Sequence, residues 1–452
     1  MFLTIIVFLI LGVISFSLKS FDFFNTRSIL RIWDLTIVYN YVSWIIILIC
    51  SVVFVIETFM KNRDFDIVVP IILGYFARIV FVFWETYFSH IFNLIHSGAD
   101  SEMYFLTAYH VYRGETVIQG FVHWNNYSRF IGGYFFRIFG AQRILMQYLN
   151  ALKGITAVFL IKRIAEKYNV SKKVLLVLLW TGLFVPNFMF LNVISIQEAL
   201  ITFLSTLSFY LFFMWFKDNH IWVLPISFYL AYLASTLHEG MIGLVGGYAV
   251  CMVFYNRKKR RFAISPLTIA LMPLGFLALS IAGQPLLDQI GWDGPGSLIA
   301  EAERARLVGP EGGAGYTALI LTGIDDGLDV FLSTPLRFMY FLLAPMPWYW
   351  RGPSDIMSFI MVSAFYLFTY ITVVKTLIRK NIPNKDVIIM ILIVILFLLL
   401  IFAWGTSNSG TAMRHRDKSF ILHVIMLSMC FQDQNFIPNK LKYKYFDTKS
   451  KK

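Results

Sequence analysis

Long apolar runs, separated by short polar breaks, set the pattern of this chain. A membrane-spanning helix needs about 20 mostly apolar residues. Runs that meet or approach this length fall at approximately 2–18, 39–59, 67–88, 144–162, 173–191, 196–216, 221–237, 240–255, 262–282, 356–376, 386–404 and 419–433. They predict an all-α fold, a polytopic transmembrane helical bundle of about twelve spans. Residues 1–433 form a single integral membrane domain, followed by a basic cytoplasmic tail over 434–452. The first run lacks a basic start and a small-residue cleavage site, so it reads as a helix and not as a signal peptide.

Three longer stretches interrupt the pattern, at about 89–143, 283–355 and 405–418. Within the first, Phe105, Ala108, Tyr109 and Tyr112 recur at i, i+3, i+4 and i+7, the mark of an amphipathic helix. Such a helix lies in the membrane interface. Within the second, the apolar piece 328–344 is broken by Pro335 and Arg337 and reads as re-entrant or interfacial.

Composition agrees: 58% of the 452 residues are hydrophobic and only 14% are charged, against about 25% in a soluble domain. A formal charge of +13 raises the question of nucleic acid. The basic residues, however, cluster in short segments between apolar runs, where they orient helices, so no nucleic-acid partner is expected. With the N-terminus inside, more than half of the 39 Lys and Arg residues fall on the cytoplasmic side, in its short loops and tail. Both termini are then cytoplasmic, and all three long loops face outward. The inward loops carry no Gly-rich phosphate motif, so chemistry is expected on the extracytoplasmic face. The three cysteines, Cys50, Cys251 and Cys430, lie in separate apolar runs and read as buried hydrophobes.

Candidate chemistry then reduces to a few places. Asp100 and Glu102 stand two residues apart just after an apolar run. Asp100 reads either as the N-cap of the following helix or functionally, as a general base or as one of a carboxylate pair with Glu102 that grips a metal or sugar hydroxyls. Arg414, His415, Arg416 and Lys418 crowd five positions of the 405–418 stretch, on the side where cations are disfavoured. They read either as headgroup contacts or as a pocket for a lipid phosphate or pyrophosphate, with Asn408 beside them and with Arg129 or Arg337 as further cations. His238 and Glu239 close a loop too short to be idle spacer and are substrate-binding candidates. Trp348 and Trp350 read either as an interfacial aromatic belt or as platforms for sugar rings. Glu198 opens a span and pairs with Arg78 or Lys153 for structure or serves a site. No metal-binding motif is present. The cofactor stays open between none and a divalent cation such as Mg²⁺ or Mn²⁺.

Asp100-Ser101-Glu102 has the form and place of the acidic motif in the first large outer loop of GT-C superfamily glycosyltransferases, which the chain resembles. The segment Gly132-Gly133-Tyr134, then Phe139 to Arg143, then a helix with Asn150 and Gly154 ending at Lys162-Arg163, is similar too, as is Pro186 to Glu198. The resemblance implies transfer of a sugar from a polyprenyl-phosphate-linked donor on the outer face of a bacterial inner membrane, in cell-surface polysaccharide or glycolipid assembly. Its partners are membrane lipid and a polyprenyl-linked sugar or glycan. The arrangement also looks like that of O-antigen and capsule polymerases, which act on undecaprenyl-pyrophosphate-linked glycans. A lipid-linked oligosaccharide flippase or transporter is a further reading, and the sequence does not fix the oligomeric state.

Overall fold

In the computed structural model, the described residues are 1–18, 36–114, 122–168, 170–256, 261–263, 327–350, 352–379, 384–404, 406 and 409–432. Helices carry nearly all of them, as the all-α reading expects. Their order begins with α1 (Phe2–Leu18), α2 (Thr36–Lys61), α3 (Phe65–Tyr87), α4 (Ala99–Arg113), α5 (Val122–Phe130) and α6 (Phe136–Phe139). It continues with α7 (Arg143–Lys167), α8 (Lys172–Phe184), α9 (Pro186–Leu191), α10 (Glu198–Asp218), α11 (Leu224–Leu237) and α12 (Gly243–Phe254). After a two-residue hairpin pair, Tyr255–Asn256 with Arg261–Phe262, come α13 (Gly327–Leu343), α14 (Pro353–Ser358), α15 (Ala364–Ile378), α16 (Lys385–Trp404), α17 (Ser409–Asp417) and α18 (Phe420–Cys430).

Six helices among the described residues are long and apolar enough to cross a membrane: Val42–Lys61, Phe65–Tyr87, Arg143–Lys167, Glu198–Asp218, Asp355–Ile378 and Lys385–Ala403. Four shorter apolar helices, Phe2–Leu11, Ile221–Leu237, Glu239–Phe254 and Phe420–Cys430, fall where further runs were read. The run 173–191 is not one helix. It stops at Phe184 and restarts at Pro186, because a proline lacks the N–H that would continue the ladder and drives the preceding Val185 extended, at φ −61 and ψ 120. Residues 264–282 and the tail 434–452 lie outside the described residues. Helix α13 runs unbroken through Pro335 and Arg337. Of the 405–418 stretch, Ser409–Asp417 forms α17.

The chain divides into two compact units, one of Met1–Phe159 with Leu183–Phe203, the other of Leu160–Gly182 with Leu204–Lys452. In the first, Phe8 of α1 stacks on Phe139 at 4.7 Å. The hydroxyls of Tyr75 on α3 and Tyr148 on α7 meet at 2.8 Å. The interval 192–197 is non-helical and wholly buried. Its free carbonyls are not abandoned: Asn150 Nδ2 on α7 donates to Ile194 O at 2.8 Å and to Ile196 O at 3.4 Å. Irregular backbone at membrane depth is tolerated only where protein encloses it or a polar cavity receives it.

In the second unit, α12 packs on α16 at backbone distance. A Cβ at Gly243 would stand 2.6 Å from Leu398 Cα, and one at Gly247 would stand 2.8 Å from Val394 Cα. The two glycines, four apart on one helix face, allow the close approach that drives helix association in an apolar medium.

Candidate functional site

The acidic pair is positioned by a glycine turn. Gly98 is the N-cap of α4 and has φ 110 and ψ −129, a conformation only glycine adopts readily. Its N–H donates to Ser101 Oγ at 3.2 Å, and that hydroxyl returns a bond to Gly98 O at 3.0 Å. The cap position therefore belongs to Gly98, and the N-cap reading of Asp100 is corrected. Asp100 and Glu102 occupy the first turn instead, where the free N–H groups of the helix end favour negative charge. Asp100 is half-buried.

Arg143, the first residue of α7, gathers the carboxylates. Its Nη1 pairs with Glu102 Oε1 at 2.6 Å and its Nη2 with Glu85 Oε1 at 3.5 Å. The guanidinium also lies over the Phe105 ring at 5.9 Å. Glu85, near the end of α3, accepts a hydrogen bond from Ser97 Oγ as well. Side-chain exposure rises along the set, from 0% at Glu85 through 19% at Arg143 to 42% at Glu102. One end is thus anchored in the interior and the other is open. The loop carrying the set is fixed by His96, whose Nε2 donates to Asn187 Oδ1 at 2.9 Å. Arg129, on α5, is exposed.

This donor set does not fit a resident divalent cation. Arg143 supplies the positive charge that Glu102 and Glu85 share, and among the described residues no group of three or more His, Cys, Asp or Glu is arranged to hold a metal.

In the second unit, the rings of Phe402, His238 and His415 form one cluster. His238 Nε2 and His415 Nε2 share a hydrogen bond at 3.0 Å, with one ring donating to the other. His415 Nδ1 meets Thr406 Oγ1 at 3.0 Å. Phe402 lies 5.0 Å from each imidazole, and Lys418 Nζ stands 5.5 Å from the same ring. Enclosure, with Lys418 and Arg414 adding positive potential, holds the His415 pKa well below the ordinary histidine value. His415 is therefore neutral at pH 7.

Arg416 has a different role from the one its sequence context suggests. It is fully buried. Its Nη1 donates to Phe341 O at 3.1 Å and Leu342 O at 2.7 Å, and its Nη2 to Ala344 O at 2.8 Å and Ser363 Oγ at 2.9 Å. The three carbonyls are open groups at the C-terminal end of α13, which favour a cation. The phosphate role assigned to Arg416 is thus replaced by a helix-end clamp, and the basic candidates of this stretch narrow to Arg414 and Lys418. Next to the clamp, Tyr366 donates to Asp417 Oδ1 at 3.1 Å. Arg337 is buried in α13.

Glu239 is half-buried. Trp350 is held by its Nε1 bond to Pro345 O at 3.1 Å, while Trp348 is exposed, with its Nε1 3.4 Å from Tyr340 OH. Asn408 lies outside the described residues.

No family model, curated protein or solved structure matches this chain.

Sequence reasoning missed Glu85 as a member of the acidic set and treated Arg143 only as part of a motif. A signal existed: Glu85 is an ionisable residue in an apolar run, and such a group needs a partner. The expected pairing of Glu198 with Arg78 or Lys153 is replaced on the basic side. Lys153 Nζ donates to Asn150 Oδ1 at 3.1 Å and lies over Phe130, and Arg78 Nη1 donates to backbone carbonyls.

Proposed function

We propose that this chain is a membrane-embedded glycosyltransferase that uses a polyprenyl-phosphate-linked sugar donor on the extracytoplasmic face of a bacterial inner membrane, with about twelve spans and both termini cytoplasmic. The observation that carries the reading is Arg143 bridging buried Glu85 and open Glu102, with Asp100 in the same helical turn as Glu102. Arg143 fixes Glu102, and Asp100 shares that helical turn, so the base and its neighbouring carboxylate are carried on one anchored helix end.

In the proposed reaction an acceptor hydroxyl oxygen attacks the anomeric carbon of the donor sugar. Asp100 takes the hydroxyl proton, and the bond between that carbon and the phosphate oxygen breaks. The electron pair leaves with the lipid phosphate. Glu102, oriented by Arg143, binds an acceptor hydroxyl. The departing phosphate requires cationic stabilisation, and charge stabilisation of this type is commonly the largest single catalytic term.

The test is transfer of a labelled sugar from a polyprenyl-phosphate donor by the full chain in native membranes. Asp100→Asn abolishes transfer with protein level unchanged; retained transfer overturns the assignment. A second reading, a polymerase of undecaprenyl-pyrophosphate-linked repeat units, draws on the two cations Arg414 and Lys418 of the second unit. It predicts that single-unit lipid-linked glycans accumulate in a deletion strain, whereas the transferase reading predicts loss of one sugar from the unit.

A further inference from the structure

Arg78 lies mid-way along α3, a helix of 23 residues that is long and apolar enough to cross a membrane, and none of its surface is exposed. Only Nη1 is engaged in hydrogen bonds. It donates to Gly74 O at 2.9 Å, within its own helix, and to Leu183 O at 2.9 Å, near the end of α8. Nε and Nη2 are buried and have no hydrogen-bond partner among the described residues. These two nitrogens form one edge of the planar guanidinium, and their N–H bonds run parallel. That edge matches two oxygens of a carboxylate or phosphate.

Arg416, in the same protein, provides an internal comparison. It is equally buried, yet both of its amino groups are occupied by carbonyls and a serine hydroxyl. Both amino groups of Arg416 are engaged, where Arg78 engages one. Arg78 leaves Nε and Nη2 open, and among the described residues no carboxylate lies within ion-pair distance of it. Two buried acids of the first unit are committed elsewhere: Glu85 to Ser97 and Arg143, Glu57 to Lys61 and Thr4.

The interrupted helix beside Arg78 supplies a second, independent observation. Arg78 lies 5.9 Å from the Phe188 ring on α9, the short helix between two breaks. The segment that follows holds buried polar atoms without partners, namely Asn192 Oδ1, Ser195 Oγ and Gln197 Oε1. An interrupted helix with unmet polar groups at membrane depth is the usual setting of a ligand site. The wall is apolar, from Leu183 against Gly74 to the ring of Phe188.

We propose that the Nε/Nη2 edge of Arg78 binds the oxyanion head of an amphipathic molecule that reaches it through the bilayer, either a lipid phosphate or a fatty carboxylate. This site does not depend on the transferase reading, because its test reads binding and not turnover.

The full chain, purified in neutral detergent, is titrated in native mass spectrometry with farnesyl phosphate, palmitate and, as the neutral control, farnesol. Either anion is expected to bind at least about tenfold more tightly than farnesol, and the stronger of the two identifies the head group. Binding survives at about 1 M salt, where contacts to exposed lysines are screened out. Arg78→Lys keeps the charge but removes the two-donor edge, and is expected to lose at least about tenfold in affinity. Equal binding of anion and farnesol, loss of binding in salt, or full affinity in Arg78→Lys overturns the proposal. If Arg78→Lys does not yield a monodisperse protein, Phe188→Leu takes its place and is expected to weaken the anion a few-fold without altering farnesol; unchanged anion binding there also overturns it.

Discussion

Arg143 and Glu102 meet at 2.6 Å, joining the first residue of α7 to the first turn of α4. The same guanidinium reaches Glu85 at 3.5 Å, so a single cation ties a buried carboxylate to an exposed one. The two contacts differ in energetic weight. An ion pair open to solvent contributes about 0–1 kcal/mol, whereas a buried carboxylate that loses a charged partner costs about 1–3 kcal/mol or more.

Removing Arg143 is therefore expected to cost more than removing Glu102. Arg143→Met destabilises the protein by about 1–3 kcal/mol, chiefly through Glu85, while Glu102→Gln costs under about 1 kcal/mol. Thermal unfolding of the two variants in the same detergent checks the order. Equal losses would place the weight on the exposed contact and contradict the assignment.

Gly98 is the second lever on the acidic set. At φ 110 and ψ −129 any Cβ is strained although nothing stands within 4 Å of it. Gly98→Ala is expected to cost about 1–3 kcal/mol and to reduce transfer, because the first turn of α4 is re-aimed. Gly133→Ala is the control, since a Cβ there meets open space and that glycine has no positive φ. A Gly98→Ala variant with unchanged stability would show that the turn adapts without strain.

The apolar rhythm made much of the fold legible. Six of the runs read from it coincide with helices long enough to span, and the amphipathic period in 101–113 falls within α4, with Phe105, Ala108 and Tyr109 buried. Periodicity also overran where a proline intervened, as at Pro186, because apolar content alone does not register a missing N–H. The site was legible as residue types but not as partnerships. Arg416 stands beside Arg414 and His415 in sequence, but only the end of α13, about 70 residues earlier, explains why it faces inward to Phe341, Leu342 and Ala344. Glu85 was masked by the apolar run around it.

Arg416 is fully buried and Arg414 only half-buried, and the two positions predict opposite phenotypes. Arg416→Gln strips charged hydrogen bonds from three carbonyls and Ser363, with an expected loss of at least about 3 kcal/mol. The protein then fails to accumulate. Arg414→Gln, at a half-buried side chain, is expected to yield folded protein at normal levels. Quantifying membrane protein level alongside transfer separates the two. An Arg416→Gln protein that is stable but inactive would return Arg416 to the phosphate role.

The histidine pair sets a pH dependence. His415 is held neutral by its enclosure, its pKa well below the ordinary histidine value of 6.5. In the unfolded chain the same ring takes up a proton near pH 6.5, so at lower pH the unfolded state binds more protons than the folded one. Stability conferred by the neutral ring is therefore fully present above about pH 6.5 and is lost progressively as pH falls below it. His415→Gln removes this contribution and is expected to flatten the unfolding temperature between about pH 7 and pH 5. It also breaks the 3.0 Å bond to His238, so the variant starts less stable at neutral pH. Melting curves of wild type and variant across that range decide the matter. Parallel curves would mean that His415 titrates normally in the folded protein and that its ring is not enclosed with His238, Phe402 and Thr406.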